Sequence, residues 1–164
     1  MDIKLIAAIG KNNELGKNND LIWRFKEDMK FFRNTTLNKP ILMGRKTYES
    51  LPKLLPNRKH IVLTKNKKLS FPKEVIVVNS KDEFLEKYKK IFEEVFVIGG
   101  FSIYSIFLDN ASEMYLTEID SACNDADVFF PRFKVQDFDM ELLFKYEEMG
   151  VNYKINKYVR KRGK

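Results

Sequence analysis

"VFVIGGFSIYSIFL", residues 95–108, sets a short β-branched apolar run against two glycines and then an apolar pattern of helical spacing. The run reads as a buried strand, the glycine pair as a tight turn, and the rest as a helix. The same order occurs upstream, where "NKPILMG" (38–44) leads into "RKTYESL" (45–51). Pro40 is tolerable at the start of that strand, and "PKLLPNR" (52–58) stops the helix. Working outward, "KLIAAIG" (4–10), "HIVLT" (60–64), "EVIVVNS" (74–80) and "EMYLTEI" (113–119) read as further strands. The spacing predicts helices over 25–35 and over "KDEFLEKYKKIF" (81–92). Short apolar strands alternating with helices make an α/β chain with a mainly parallel sheet covered on both faces. Past "DADVFFP" (125–131) the pattern changes, and residues 138–161 alternate about Gly150 as an antiparallel hairpin. "KNNELGKNNDLIW" (11–23) and the basic "KNKKLSFPK" (65–73) read as loops. No Pro/Gly-rich linker divides residues 1–164, which are expected to form one domain.

The composition limits the function classes. The chain has 164 residues, 44% of them apolar, with 14 Phe and 7 Tyr, so it can bury a real core. One cysteine, Cys123, leaves no internal disulfide framework and argues against a thiolate metal cluster; no residue is read as a metal ligand. No terminal apolar run suits a signal peptide or a membrane span, and the expectation is a cytoplasmic protein without membrane contact. The net charge of +7 fits either a nucleic-acid binder or an enzyme with an anionic ligand. Its distribution is uneven, with Lys65, Lys67 and Lys68 in one loop and Arg160, Lys161, Arg162 and Lys164 in the tail.

"LIWRFKEDMKFF" (21–32) poses the sharpest chemical question, because Asp28 sits among Trp23, Phe25, Met29, Phe31 and Phe32. Helical spacing stacks Phe25, Met29 and Phe32 on one face, with Asp28 beside it. Two accounts compete. Asp28 and Glu27 could be ordinary first-turn acids that favour a helix N-terminus. Alternatively, Asp28 projects into an apolar pocket and awaits a cationic, hydrogen-bonding ligand. The two glycine turns raise a related choice. Gly44, followed by Arg45, Lys46 and Thr47, and Gly99–Gly100, before Phe101, each offer backbone N–H groups that an anion can approach. Each alone reads as an ordinary strand–helix turn, and neither matches a standard nucleotide fingerprint. Adjacent parallel strands would bring them together at one sheet edge, with Thr64 and Lys65 as a third loop. That combination suggests an extended dinucleotide carrying an extra phosphate.

The stretches "LIAAIGKNNELGKNNDLIW", "FKEDMKFFRNTTLNKPILMGRKTYESL", "LPNRKHIVLT", "VFVIGGFSIY", "MYLTEID" and "DADVFFP" together resemble dihydrofolate reductase of the bacterial type, in family order and spacing. The resemblance implies a central eight-stranded mixed, mostly parallel sheet flanked by four helices. It implies NADPH-dependent reduction of 7,8-dihydrofolate, binding of antifolates, and a monomer. By the same resemblance Asp28 is the pterin-binding carboxylate, supported by Thr117 and by Trp23, which holds a water. Ile6, Ala8, Met29, Phe32, Leu55 and Ile98 outline the substrate, and Arg58 meets its α-carboxylate. For the cofactor it implies Gly99, Gly100, Phe101, Ser102 and Ile103 at the diphosphate, and Gly44, Arg45, Lys46 and Thr47 at the phosphates. It places Leu63, Thr64, Lys65 and Ser80 around the adenosine end. Ala8, Leu15, Gly16 and Ile98 flank the nicotinamide, and Tyr104 lies near the reaction centre. The Gly99–Gly100 bond resembles the family's cis peptide.

The chain departs from the family pattern at Ile22, where proline usually precedes the tryptophan, at Met29 and at Pro52. Two other functions stay open at this level. One is the related reductase of a riboflavin-pathway pyrimidine, which shares fold and cofactor but not the Asp28–Phe32–Leu55–Arg58 set. The other is a basic nucleic-acid-binding module, which would explain the charge but neither Asp28 nor the glycine turns.

Overall fold

A computed structural model describes residues 1–18 and 20–163; Asn19 of the polar loop and Lys164 of the basic tail lie outside the described residues. The strands are β1 (Asp2–Ile9), β2 (Glu14–Lys17), β3 (Asp20–Leu21), β4 (Pro40–Gly44), β5 (Lys59–Leu63), β6 (Ile76–Val78), β7 (Glu94–Gly99), β8 (Ala111–Ile119), β9 (Val128–Phe129), β10 (Phe138–Glu148) and β11 (Val151–Arg160). The helices are α1 (Lys26–Thr36), α2 (Arg45–Ser50), α3 (Lys81–Tyr88) and α4 (Phe101–Phe107). Eight strands form one sheet in the order β10-β11-β8-β1-β7-β4-β5-β6. The pairs from β8 through β6 are parallel, and β11 and β10 add the antiparallel edge. Among the described residues, no helix is long and apolar enough to cross a membrane.

The central strands are apolar on both faces, and their residues sort by twos. Leu5, Leu42, Ile61, Leu63 and Val97 belong to one core with Phe84, Ile103 and Phe107 of α3 and α4. Ile6, Ile41, Met43, Val62 and Phe96 belong to the other, against Phe31 and Phe32 of α1 and Tyr48 of α2. The terminal hairpin turns at Met149 and Gly150, both at positive φ (53° and 76°), as a two-residue turn between twisted strands requires.

Three local expectations change. The loop over 11–23 contains β2 and β3, which pair with each other, and β2 also pairs with β9 to make a small second sheet. The partner strand lies more than a hundred residues downstream, so no local pattern announces it. The helix expected over 81–92 ends at Tyr88, whose carbonyl accepts the N–H groups of both Ile91 and Phe92 and tightens the chain into a turn. The strand expected over 74–80 shrinks to Ile76–Val78, because Val75 N–H turns back to Pro72 O.

Helix α1 starts on Phe25, a residue with no capping side chain. Its first N–H groups are satisfied from the other end of the chain. Glu148 of β10 accepts from Lys26 N–H at 2.7 Å and Glu27 N–H at 3.0 Å, and also from the Tyr153 hydroxyl. Phe25 in turn stacks on Tyr153, with centroids 4.7 Å apart. Burial raises the Glu148 pKa, but its three donors outweigh this and hold it below the ordinary 4.5. A depressed folded-state value means stabilisation that is present above 4.5 and lost as pH falls through the folded value. Glu148→Ala is expected to cost about 1–2 kcal/mol at neutral pH, the upper range for a lost cap. In urea unfolding, the gap from wild type should narrow under acid conditions.

Candidate active site

The parallel order places the carboxyl ends of β7, β4 and β5 side by side. The turns Gly99–Gly100, Gly44–Thr47 and Thr64–Lys65 therefore share one edge of the sheet. Gly44 and Gly100 cap α2 and α4 without any side-chain hydrogen bond. The Gly99–Gly100 peptide is cis, and Gly99 has φ +128°. A Cβ at Gly99 would lie 3.4 Å from the Tyr104 ring and 3.6 Å from Thr47 Oγ1. Positive φ and this enclosure suit glycine alone. Lys46, Lys65, Ser102 and Phe101 are exposed. Arg45 makes a half-exposed ion pair with Glu49 at 3.2 Å. Thr64 is buried, its Oγ1 accepting Asn66 N–H and its carbonyl accepting the Asn79 amide. Leu63 is a buried wall residue, and Ser80 caps α3 by accepting Glu83 N–H at 3.0 Å. Ile103 is buried in the core.

At the adjoining end of β1 and β8, Ala8 and Thr117 are register partners. Thr117 Oγ1 donates to Asp28 Oδ1 at 2.5 Å, joining β8 to α1. Burial pushes the Asp28 carboxyl above its ordinary value; the Thr117 hydrogen bond opposes this, and Glu148 repulsion reinforces it. Asp28 is thus a half-buried carboxylate with one hydroxyl donor, while Glu148 makes the hydrogen bonds at the helix start. The expected stripe of Phe25, Met29 and Phe32 divides around it. Phe25 packs with Tyr153, Ile119, Trp23 and Ala8, whereas Phe32 joins Ile6, Ile98 and Leu55 on the other core. Met29 is 49% exposed. Tyr104 spends its hydroxyl on the Ile6 carbonyl at 2.7 Å, and burial pushes its phenol pKa far up. It ties α4 to β1.

Arg58 is held rather than loose. Its Nε donates to Thr36 Oγ1 at 2.9 Å, Nη1 to Pro56 O at 2.8 Å and Nη2 to Arg33 O at 2.8 Å. Thr36, fully buried, donates its own hydroxyl hydrogen bond to Phe32 O at 2.8 Å. Three of five guanidinium N–H groups are engaged, which leaves one on each terminal nitrogen.

Sequence reasoning missed Glu14, which is only 1% exposed. Its Oε1 accepts Asn12 N–H at 2.7 Å and its Oε2 accepts Cys123 N–H at 2.6 Å. Burial alone would raise its pKa, but the N–H donors of Cys123, Glu14 and Asn12 bring it below the ordinary value. The carboxylate clamps the turn after β1 to the segment after β8. Gly10 lies at the junction, where a Cβ would meet Glu14 Oε1 and the Trp23 ring at 2.5 Å and Ser121 O at 2.9 Å. Only a residue without a side chain fits there. Leu15 and Gly16 follow on β2, and Asp127 secures this segment by accepting Asn18 N–H at 3.0 Å.

Comparisons with known proteins point to one family. A family model described as dihydrofolate reductase matches residues 2–160. The chain is 35% identical to a dihydrofolate reductase of Haemophilus influenzae, over 86% of each chain. It is 34% identical to that of Staphylococcus haemolyticus, over 98% of this chain and 96% of the relative. It is 35% identical to a type 15 dihydrofolate reductase of Escherichia coli, over 90% of this chain and 97% of the relative.

Proposed function

The chain belongs to the dihydrofolate reductase family, and on that premise we propose that it is an oxidoreductase reducing 7,8-dihydrofolate to 5,6,7,8-tetrahydrofolate with NADPH. We read residues 1–164 as one catalytic domain, acting as a cytoplasmic monomer and open to antifolates. The observation that carries the reading is Asp28, a half-buried acid whose side-chain partner among the described residues is Thr117. A pterin presents a ring N–H and an exocyclic amine on one edge, and a carboxylate accepts both. Such a ligand supplies the donors that burial otherwise denies the charge.

The dinucleotide is tested by the donor set at the sheet edge. Backbone N–H groups at Gly44 and Gly100 and the cations Arg45, Lys46 and Lys65 fit phosphates. The Arg45–Glu49 pair is half-exposed and weak enough to yield to a phosphate. Thr47 and Ser102 would join at the diphosphate, Thr64, Lys65 and Arg45 at the 2′-phosphate, and Leu63 and Ser80 beside the adenosine. Ala8, Leu15, Gly16 and Ile98 would flank the nicotinamide. When bound, NADPH supplies the hydride that C6 of the pterin accepts, while N5 takes a proton. Asp28 orients the ring and polarises it. It holds the edge opposite N5, so the proton comes by water, which Trp23 helps to hold. The segment over 11–24 excludes bulk water by closing on the site. Ile6, Phe32, Leu55 and Ile98 form the apolar slot, Met29 covers its mouth, and Arg58 pairs with the α-carboxylate.

Purified protein should oxidise NADPH when dihydrofolate is added. Inactivity there, with turnover of the riboflavin-pathway pyrimidine, would overturn the reading. Cofactor choice gives a second measurement. Each charge-assisted contact to the 2′-phosphate exceeds a neutral hydrogen bond by about 1 kcal/mol. Replacing Arg45 and Lys65 with Ala should therefore raise the KM for NADPH roughly tenfold or more, with little change for NADH. An equal rise for both cofactors would remove these residues from phosphate recognition.

A further inference from the structure

His60, the single histidine of the chain, is the second residue of β5 and is 3% exposed. Its two ring nitrogens meet the two ends of one short turn. Leu55 N–H points at Nε2 at 3.0 Å, and the Arg58 carbonyl lies 3.1 Å from Nδ1. A backbone N–H only donates and a carbonyl only accepts, so Nε2 must carry the lone pair and Nδ1 the proton. One neutral tautomer satisfies both partners, and an imidazolium would set a second donor against Leu55 N–H.

We propose that His60, fixed as the neutral Nδ1–H tautomer, is the positioning residue for recognition of the substrate's carboxylate tail. By holding Leu55 and Arg58 at a set separation it aims the Arg58 guanidinium, and protonation of His60 releases that aim. The inference rests on the reading of Arg58 as the α-carboxylate partner. Arg58 completes the remaining geometry through Thr36, Pro56 and Arg33, so the turn and α1 are joined at the guanidinium itself. The charges that act here are cationic, Arg58 on His60 and Arg33 of α1 on Arg58. On the neighbouring strand β4, the residue in register is the apolar Ile41. Burial depresses the imidazole pKa, the Arg58 carbonyl opposes this, and the Arg58 charge adds to the depression. His60 is therefore neutral at physiological pH and charges only below its ordinary 6.5.

Two measurements test this directly. As the only histidine, His60 gives unambiguous ring ¹⁵N signals, which should report a protonated Nδ1 and a bare Nε2 at pH 7.5. The opposite tautomer, or a ring already charged there, would overturn the proposal. The second measurement is the affinity ratio of folate to pteroate, which lacks the glutamate, from pH 8 down through the pH at which the ring signals report His60 charging. The ratio isolates the tail, since Asp28 acts on the pterin that both ligands share. The α-carboxylate and the guanidinium keep their charges across this range. In wild type the ratio should fall about tenfold as His60 charges, the scale of one hydrogen bond. His60→Gln, a neutral donor and acceptor at every pH, should flatten the profile. His60→Leu should lower the ratio at pH 8 while leaving kcat and NADPH affinity near wild type. A flat wild-type profile overturns the role of His60 while Arg58→Ala still abolishes the ratio. If Arg58→Ala leaves the ratio unchanged, the reading of Arg58 itself fails.

Discussion

Asp28→Asn is expected to lower single-turnover hydride transfer at neutral pH by roughly 10²-fold or more, the scale of a lost preorganised contact. NADPH binding should stay intact. Stability should move the other way. Burial raises the Asp28 pKa in the folded chain, so the folded state disfavours the ionised form. A raised value means stability that is full below the unfolded 3.8 and lost as pH rises through the folded value. The neutral amide avoids that loss and can still accept the Thr117 hydroxyl. The ligand-free variant should therefore be as stable as wild type, or more so, at neutral pH, with the difference fading in acid. A first-turn acid predicts the opposite pattern, with activity retained and stability lowered by about 1 kcal/mol or less. The pH profile separates the accounts again. An ionised Asp28 favours the protonated pterin through its field, so its loss should shift the rate maximum toward acid, where solution protonates the substrate. Equal rates and superimposable profiles would sink the pterin role.

Arg58→Ala should weaken dihydrofolate by about thirtyfold or more, since truncating one partner of a hydrogen-bonded charge pair costs about 2–5 kcal/mol. NADPH affinity should not change, because the cofactor loops lie at β4, β5 and β7 and share no hydrogen bond with the guanidinium among the described residues. An analogue without the α-carboxylate should be nearly indifferent to the substitution. Arg58→Lys should rescue little. An ammonium keeps the charge but cannot meet Thr36, Pro56 and Arg33 in one plane while offering two parallel N–H groups outward. If both analogues lose affinity alike in Arg58→Ala, the change has disturbed the 55–58 turn instead of deleting an ion pair.

The sequence by itself determined the elements that depend on neighbours a few residues away. Apolar runs with β-branched residues marked β1, β4, β5, β7 and β8, and glycines marked the turns after β4 and β7. The pattern about Gly150 marked the hairpin. Each signal is local, because strand and helix periods of 2 and 3.6 residues are written in consecutive positions. The resemblance then singled out Asp28, Thr117 and Arg58 by name, as composition could not. The tertiary structure alone decided which groups satisfy one another. Thr117 reaches Asp28 across 89 positions, and Glu148 caps α1 from 121 and 122 positions away. Likewise β9 closes onto β2, and His60 reads both ends of a turn that the sequence shows only as "LPNRKH". Local periodicity carries no information about such partners. They are set by strand order, which brings β8 beside β1 and β11 beside β8, and by the requirement that buried N–H groups and carboxylates find partners wherever the sheet places them.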